Sequence, residues 1–356
     1  MNKLENDIFG LTVITSKKKW QKAIEAIDSY DFYHTYDYHN LSKKKDEKQI
    51  LLRYQENQSV IYLPLLIRKI KNTNYYDATS VYGYSGPIGK NIADNFDNKN
   101  FIQALGDFFE NYGIVSVFTR LNPFIPQQEN LLENIGSINV MGNIVNIDLK
   151  LNQDEQKTKF SKTTKRYLNK VRNSCVTKIS KEKDDINKFI ELYYENMNRV
   201  NANQSYYFKK DYFYKLSESK NFDCEIIFAI LKETQEIISA AMMVKTNGDI
   251  IQYHISGTLN KYLHLTPIRL LIDETRIRGT EQGYKYFNLG GGLGGQEGSL
   301  FNFKASFSKD FKKFKVWNYI TNKTIYEELT TNNPTFMKLS EEEKSSLTFF
   351  PLYRYS

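Results

Sequence analysis

The spacing of apolar residues along the first half of the chain predicts a mixture of helices and strands. Apolar side chains recur at helical intervals over residues 16–29 and 101–111, so both segments are expected to be amphipathic helices. Shorter apolar runs at residues 50–54 and 60–67 predict a strand pair that turns at Asn57. Further strands are expected at residues 115–121 and 143–149, with a loop rich in Gly and Pro at residues 82–89.

The second half shows a clearer order of elements. Helical spacing predicts helices over residues 162–174 and 186–200. Three apolar runs then follow one another with short turns between them, and Asn247–Gly248 is the strongest hairpin signal. These runs predict an antiparallel meander with strands at residues 225–231, 236–245 and 250–256.

A helix and a strand are expected to follow the meander. Thr266 before Pro267 is typical of a helix start, with Thr266 as the cap and Pro267 at the first helical position, and Gly283 marks the end. Residues 284–289 predict a strand that leads directly into the glycine-rich segment 290–295. The order is therefore helix, helix, meander, helix, strand and glycine loop.

The helix predicted over residues 162–174 separates apolar from cationic side chains. At 100° per residue, Leu168, Val171 and Cys175 fall within about 60° of one another and form the stripe expected to be buried. A solvated face is the ordinary explanation of a charge run, although solvated helices usually mix both signs. The cationic side chains cover an arc of about 160° and are Lys159, Lys162, Lys165, Arg166, Lys170 and Arg172.

The positive charge of the chain is concentrated around this helix. The net charge is +8, and residues 157–183 hold ten Lys or Arg residues against a single acid, Glu182. The remainder of the chain is therefore close to neutral. Such a patch favours a polyanionic partner, which would be the phosphates of a nucleotide conjugate, an RNA or an anionic membrane surface.

Length and composition predict a two-domain protein of the cytoplasm. A chain of 356 residues exceeds what one core usually serves, and the polar stretch 152–159 is the expected boundary. Neither an apolar run of about 20 residues nor a signal peptide is evident. The expected divisions are an N-terminal domain at residues 1–150, a C-terminal domain at 151–335 and a tail at 336–356.

The cysteines and histidines argue against a disulfide framework and against a metal site. Cys175 and Cys224 stand alone in the sequence, which fits a reducing compartment. The histidines show no metal-binding spacing, so no metal is expected. They are His34, His39, His254 and His264.

The glycine loop imitates a dinucleotide-binding motif. Glycines at positions 290, 292 and 295 match the pattern G-x-G-x-x-G after a strand. The following residues, QEGSLFNF, have poor helix character, and no acidic residue ends a strand about 20 residues later, so a dinucleotide site is disfavoured. A structural turn remains one interpretation, and a loop that lines a substrate site is the favoured one.

A resemblance to a known family gives this loop more meaning. The element order and the segment 288–308 (NLGGGLGGQEGSLFNFKASFS) resemble the Fem-type (FemAB-like) peptidyltransferases, which build the interpeptide bridges of peptidoglycan. That family is a tandem-domain branch of the GCN5-related N-acetyltransferase (GNAT) superfamily. The resemblance extends to the helix at 165–172, the loop Tyr-Ser-Gly-Pro at 84–87 and the strand at 63–65, and covers roughly residues 30–320.

The resemblance implies an α/β (α+β) fold of two GNAT-like domains, each a mixed, mostly antiparallel sheet flanked by helices. It also implies a transferase with Lys304 as the catalytic or donor-positioning cation and Phe303 as its aromatic neighbour. Lys304 could alternatively be a surface lysine in a basic stretch that also holds Lys309, Lys312, Lys313 and Lys315. The expected substrate-binding residues are Gly290, Gly291, Gly292, Lys165, Arg166, Lys170, Arg172 and Tyr253, with Glu297 as a further proton-handling candidate.

The donor implied by the resemblance is either an acyl-CoA or an aminoacyl-tRNA. Residues 257–266 lack the Gln/Arg-x-x-Gly-x-Gly/Ala turn that grips pyrophosphate in acetyl-CoA enzymes, which shifts weight away from CoA. The expected acceptor is an amine on an anionic, phosphate-bearing precursor of the cell envelope, related to peptidoglycan or polysaccharide. tRNA and the inner membrane surface are further candidate partners, whereas DNA is not expected.

Two non-catalytic alternatives stay open from the sequence. A protein that binds RNA or an anionic surface would use the basic patch 157–183 and would show a steep salt dependence without any transfer activity. An inactive scaffold at an anionic membrane would bind liposomes through the same patch.

Overall fold

The computed structural model describes residues 10–246 and 249–356. The predicted strand pair is confirmed as an antiparallel hairpin, with Asn57 in the left-handed conformation (φ 52°) at its turn. The first part of the chain forms β1 (Leu11–Ile14), α1 (Lys17–Glu25), α2 (Tyr36–Ser42), β2 (Lys48–Glu56), β3 (Ser59–Lys69), β4 (Tyr76–Thr79), β5 (Ile88–Lys90), α3 (Lys99–Asn111), β6 (Ile114–Arg120), α4 (Gln128–Leu131) and β7 (Ser137–Asp148).

The second part contains the predicted meander, as three antiparallel strands β9, β10 and β11. The Asn247–Gly248 turn lies outside the described residues. The elements are α5 (Gln153–Thr158), α6 (Lys162–Ser174), β8 (Cys175–Ser180), α7 (Lys183–Arg199), α8 (Lys210–Ser217), β9 (Asp223–Leu231), β10 (Ile237–Thr246), β11 (Ile250–Thr258), α9 (Ile268–Glu281), β12 (Tyr286–Gly290), α10 (Ser299–Ala305), β13 (Asp310–Ile320), α11 (Lys323–Thr331), α12 (Pro334–Met337) and α13 (Glu341–Ser346).

The chain folds into two compact units whose limits differ from the domains expected at residues 1–150, 151–335 and 336–356. One unit comprises the residues up to Met141 together with Phe314–Ser356, and the other comprises Gly142–Lys313. The difference arises because the end of β13 and the C-terminal helices pack with the first unit. Trp317 lies in its hydrophobic core and donates a hydrogen bond to the Ile135 carbonyl (2.6 Å).

In the first unit, six strands pair in the order β1, β2, β3, β4, β6 and β13, and β5 pairs with β3. The β4–β6 pair is parallel, and the other pairs between neighbours are antiparallel. Helix α3 packs its apolar face, including Phe101, Leu105 and Phe108, into the core beneath this sheet. Buried Asp77 binds the C-terminal segment through Arg354 and also binds Arg68 (2.6 Å).

In the second unit, six strands pair in the order β8, β9, β10, β11, β12 and β7. The β11–β12 pair is parallel, and its other neighbouring pairs are antiparallel. The strand that closes this sheet is Val145–Asp148 of β7, which pairs with β12. Both units therefore share one strand order. In each of the two described sheets, the parallel pair joins the fourth and fifth strands of the order.

The polar stretch 152–159 forms α5, because Asn152 and Glu155 make a capping box. Three local expectations were wrong. The segment QEGSLFNF was expected to be a poor helix, yet α10 begins at Ser299. Thr266 does not cap α9: its φ is +52° and its hydroxyl has no hydrogen-bond partner among the described residues. Pro267 accordingly precedes the first helical residue, which is Ile268, and does not stand at the first helical position.

The helices of the described segments include none with the length and apolar composition that crossing a bilayer requires.

Candidate active site

The candidate site begins where β11 and β12 part. Their parallel pairing ends at Gln252 and Asn288, whereas β11 continues to Thr258 and β12 continues to Gly290 paired with β7 on its other side. At this point Asn288 Nδ2 donates to Gln252 Oε1 (2.8 Å), and the Gly290 amide donates to Asn288 Oδ1 (2.8 Å). The buried side chain of Asn288 therefore fixes the start of the glycine loop. The sequence interpretation did not single out this residue.

The glycine loop follows β12 and folds back on itself. Gly290 has a φ of +77°, which side chains rarely adopt. A Cβ atom at Gly292 would lie 1.9 Å from the Gln296 carbonyl oxygen, and one at Gly291 would lie 2.9 Å from that of Asn143. The glycines are therefore required by close backbone approach. Their predicted contact with substrate stays a prediction.

Lys304 lies in α10 directly behind this loop. Its side chain is buried, with 8% of the residue exposed, and Nζ donates a hydrogen bond to the Gly291 carbonyl oxygen (2.8 Å). Burial lowers the pKa of Lys304 from 10.5 to about 8, and no carboxylate pairs with it within the described part of the chain. The surface-lysine alternative is wrong, because Lys304 is buried. A buried ammonium without a counterion is costly and rare in proteins.

Arg269 of α9, which the sequence interpretation did not single out, packs against Phe303 of α10. The Arg269 guanidinium carbon lies 4.8 Å from the centroid of the Phe303 ring, and Nη1 donates to Thr164 Oγ1 (2.7 Å) and Ser306 Oγ (3.1 Å). Burial lowers the pKa of Arg269. Its position two residues after Pro267, in the first turn of α9, was the only available sequence signal.

Tyr253 lies on β11 at the place where the two strands part. A β-bulge next to it, opposite Met242 and Met243, shifts the register, and Tyr253 Oη lies 2.5 Å from Ser256 Oγ. Burial raises the pKa of Tyr253 to about 12, so its hydroxyl keeps its proton at neutral pH. Tyr253 and Phe303 both pack against the hydrophobic cluster of the second unit.

Helix α6 buries the predicted stripe, since Leu168, Val171 and Cys175 are all core residues. Of the predicted anion-binding residues, Arg172 is committed elsewhere: it pairs with Asp273 (2.8 Å) and Glu274 (2.6 Å) on α9. Arg172 therefore holds two helices together, and its assignment to substrate stays a prediction.

The other cations of α6 remain available. Arg166 and Lys170 are exposed, together with Lys162, and none of the three pairs with a carboxylate in residues 10–246 and 249–356. These three positions are four residues apart, so they form one row with steps of about 6 Å. Lys165 is partly exposed, with Nζ 3.5 Å from the Thr158 carbonyl oxygen.

The first turn of α6 contacts the end of α10. Thr164 Oγ1 lies 2.7 Å from Ser306 Oγ, and the Ser161 amide donates to the Ser306 carbonyl (2.8 Å). The structure thus brings the cationic helix next to the Phe303–Lys304 segment. Glu297 is separate from this group, because it is exposed and accepts a hydrogen bond from Asn143 (2.6 Å).

The described residues offer few other features that could bind a metal, a pyrophosphate or a small ligand. Within the described ranges, no group of three or more His, Cys, Asp or Glu side chains could hold a metal ion. Residues before α9 form a short 3-10 helix (Asn260–Leu265) and not a glycine-rich turn. The second unit has a small cavity of about 260 Å³, lined by residues that include Lys159, Lys309 and Asp310.

These two units, each with one parallel strand pair at the equivalent place, define a tandem GNAT-like fold of the Fem type. The fold class expected from the sequence is confirmed. The chain is similar in structure to FemX, with a TM-score of 0.67 and 11% identity over 89% of this chain and 99% of FemX.

Two further solved structures share the fold. The C-terminal domain of a putative lysylphosphatidylglycerol synthetase from Agrobacterium fabrum has a TM-score of 0.54 at 12% identity, over 87% of this chain and 93% of that one. A conserved protein of unknown function from Bacteroides thetaiotaomicron VPI-5482 has a TM-score of 0.56 at 11% identity, over 86% and 98%. No family model matches the sequence, and no curated protein matches it.

Proposed function

We propose that the chain is an acyltransferase that forms an amide, by moving an aminoacyl group from tRNA to an amine of an anionic cell-envelope precursor. The observation that carries the proposal is Lys304, a buried ammonium that donates to the glycine loop and has no carboxylate partner among the described residues. It lies on α10, the end of which contacts the cationic helix through Ser306. The fold is shared with FemX and with the putative lysylphosphatidylglycerol synthetase, whose name describes synthesis of an aminoacylated lipid, and this supports the same class of reaction.

The chemistry asks little of the protein beyond placement and charge. The acceptor amine attacks the ester carbonyl of the donor, and a tetrahedral intermediate with an oxyanion forms. Of its three N–H groups, the Lys304 ammonium uses one on Gly291 and has others to donate to that oxyanion. When the intermediate collapses, the C–O bond breaks, and the proton lost by the amine ends on the leaving ribose oxygen.

The position of Lys304 suits such a role better than that of a general base. Below pH 8 the side chain is mostly protonated, because its pKa is lowered only to about 8. A buried ammonium acts through a low local dielectric, in which charge stabilisation is stronger than in water. Tyr253 keeps its phenolic proton at neutral pH and is proposed as a further hydrogen-bond donor to substrate.

Two features favour aminoacyl-tRNA over acyl-CoA as the donor. The 3-10 helix Asn260–Leu265 stands where a pyrophosphate-binding turn would be needed. The row Lys162, Arg166 and Lys170 presents three charges that no carboxylate of the described residues pairs with, although like charges at this spacing cost a helix about 0.2–0.5 kcal/mol per pair. The sugar–phosphate backbone of a tRNA lying along the row would offset that cost.

The acceptor is proposed to be anionic and linked to a phosphate-bearing carrier, as in peptidoglycan or polysaccharide precursors. The precursor would reach the protein at the inner surface of the membrane, where the basic patch would also favour a peripheral contact. Lys165 and Arg166 are the residues of α6 that we assign to this contact or to the donor.

The donor is tested by titration of the purified chain with bulk charged tRNA and, separately, with acetyl-CoA. Saturable binding of charged tRNA at low micromolar concentration or tighter, with weak or no binding of acetyl-CoA, is the expected result. Tight binding of acetyl-CoA alone would replace the donor while leaving the class of reaction. Release of the amino acid from tRNA to an added amine, measured with a radiolabelled amino acid, tests the transfer itself.

The cationic row gives a prediction for the salt dependence of binding. Changing Arg166→Gln together with Lys170→Gln is expected to reduce the slope of log affinity against log salt by about 2 for charged tRNA, roughly 1 per lost phosphate contact. Lys220→Gln, an exposed lysine of the same unit, is the matched control and should leave the slope unchanged. Equal slopes for all variants would exclude the row from the tRNA contact.

The same row favours the non-catalytic alternative of an RNA- or anionic-surface-binding protein. That alternative requires neither a buried ammonium nor Lys304. Tight RNA binding that is unaffected by Lys304→Met, in a protein without transfer activity, would select it.

A further inference from the structure

Arg269 differs from Arg172 and Arg276, two other arginines of α6 and α9. Arg172 and Arg276 both pair with Asp273, at 2.8 Å in each case, so their charges are compensated. Arg269 has no carboxylate partner in the described part of the chain, and its Nε is buried without any hydrogen-bond partner. Its guanidinium is instead surrounded by aromatic rings, those of Tyr167, Phe303 and Phe307, at 4.8–5.8 Å.

A purely structural role does not explain this arrangement. Taking a guanidinium out of water is costly, and a carboxylate is the usual compensation. Rings and hydroxyl groups compensate less, but they add no negative charge to the site. A carboxylate at this place would attract the cation of a nearby lysine and repel the phosphates of a donor. The surroundings of Arg269 therefore hold α10 while keeping the site cationic.

The contacts of Arg269 fall on both sides of Lys304. Its guanidinium stacks on Phe303, the residue before Lys304, and donates to Ser306, two residues after it. The Ser306 hydroxyl in turn donates to the Phe303 carbonyl oxygen (2.6 Å). Because α10 spans only Ser299–Ala305 and has no side-chain cap, a helix of this length depends on such tertiary contacts.

We infer that Arg269 is a positioning residue for the transfer reaction: it fixes the rotation of α10 and thereby directs Lys304 Nζ toward the glycine loop. The inference rests on the proposed role of Lys304 in catalysis. Arg269 itself touches Thr164 on α6, so it also ties the cationic helix to the segment that carries Lys304. The residue is not placed in contact with the reacting atoms.

The first test measures Lys304 and needs no substrate. The pH profile of reductive methylation at Lys304 is followed by peptide mass spectrometry in the wild type, Arg269→Lys and Arg269→Met. We expect an apparent pKa near 8 in the wild type, and a rise toward the ordinary lysine value of about 10.4 in Arg269→Met. Arg269→Lys, which keeps the charge but loses the planar stack, should lie between them.

Arg278→Lys is the matched control, because Arg278 lies on the same helix and only approaches Glu225 (3.8 Å). It should leave the labelling profile of Lys304 unchanged. Melting temperature is measured for every variant, and labelling is carried out where each is folded. An unchanged Lys304 profile in both Arg269 variants overturns the inference, whatever their effect on stability.

The second test uses the transfer assay with charged tRNA. A misplacement of about 1 Å costs on the order of 100-fold in rate, so Arg269→Met should lower kcat by about that factor and leave KM within about threefold. An increase of KM at constant kcat would make Arg269 a binding residue and overturn the inference. The two proposals fail separately: full activity of Lys304→Met removes the proposed function, whereas the labelling profile still tests Arg269.

Discussion

Replacing Lys304 with methionine is expected to lower the rate constant of transfer by about 100- to 1000-fold, the usual cost of removing one donor to an oxyanion. Methionine keeps the apolar stem and fills the same space, so α10 should remain in place. The melting temperature of the variant should equal or exceed that of the wild type, because the substitution removes a buried ammonium that has no carboxylate partner in the described ranges. Single-turnover kinetics and thermal unfolding measure the two effects.

The pH dependence separates a cationic role from a basic one. The pKa of Lys304 is lowered to about 8, so the ammonium that stabilises the oxyanion is lost as pH rises through 8, and the rate should fall there. Stability moves in the opposite direction. Between about pH 8 and 10.4 the unfolded chain binds more protons at this residue than the folded chain, so folding becomes more favourable as pH rises.

Lys304→Arg is the control for charge. It keeps the cation but places it differently and should recover only part of the activity. A rate that rises through pH 8 would instead make Lys304 a general base. Full activity of Lys304→Met would exclude the proposed site altogether.

Removing the carboxylate of Glu225 is expected to have the largest effect on stability. Glu225 and Lys245 form an ion pair (2.8 Å) in which both side chains are buried, and Lys245 also donates to Gln282 (3.1 Å). Glu225→Ala leaves the Lys245 charge buried and unpaired, so the free energy of unfolding should fall by about 3–5 kcal/mol. Denaturant titration of the full chain measures this change.

The exposed pair of Asp211 and Lys215 (3.3 Å) is the matched control. Asp211→Ala should change the free energy of unfolding by no more than about 0.5 kcal/mol, because water screens an exposed pair. A double variant, Glu225→Leu with Lys245→Met, should recover most of the loss since it removes both charges. A loss below about 1 kcal/mol in Glu225→Ala would show that Lys245 finds another partner or water.

The parts of the fold that the sequence predicted are those set by local patterns. The meander, α6 and the end of α9 near Gly283 each depend on periodicity or on a turn residue within a few positions. Lys304 could be proposed from the sequence because its motif is short and continuous. Its burial was not predictable, since it depends on the glycine loop folding back over α10.

Arg269 escaped prediction because its partners are distant in sequence. Thr164 is 105 residues away and Ser306 is 37 residues away, and neither carries a charge that would mark it. The ion pair of Arg172 was not predictable for a related reason: Asp273, which pairs with it, lies 101 residues further along. A count of charges along one helix cannot show which of them another helix neutralises.

The course of β7 and β13 has a consequence for how this gene can be divided. A product that stops at residue 150 would keep Val145–Asp148, which belong to the sheet of Gly142–Lys313, and would lose Trp317, which fills the core of the other unit. A single breakpoint therefore damages both halves at once. Recombination that replaces one unit with that of a homologue must use two crossovers, near residues 141 and 313. The segments before 141 and after 313 must then come from the same parent.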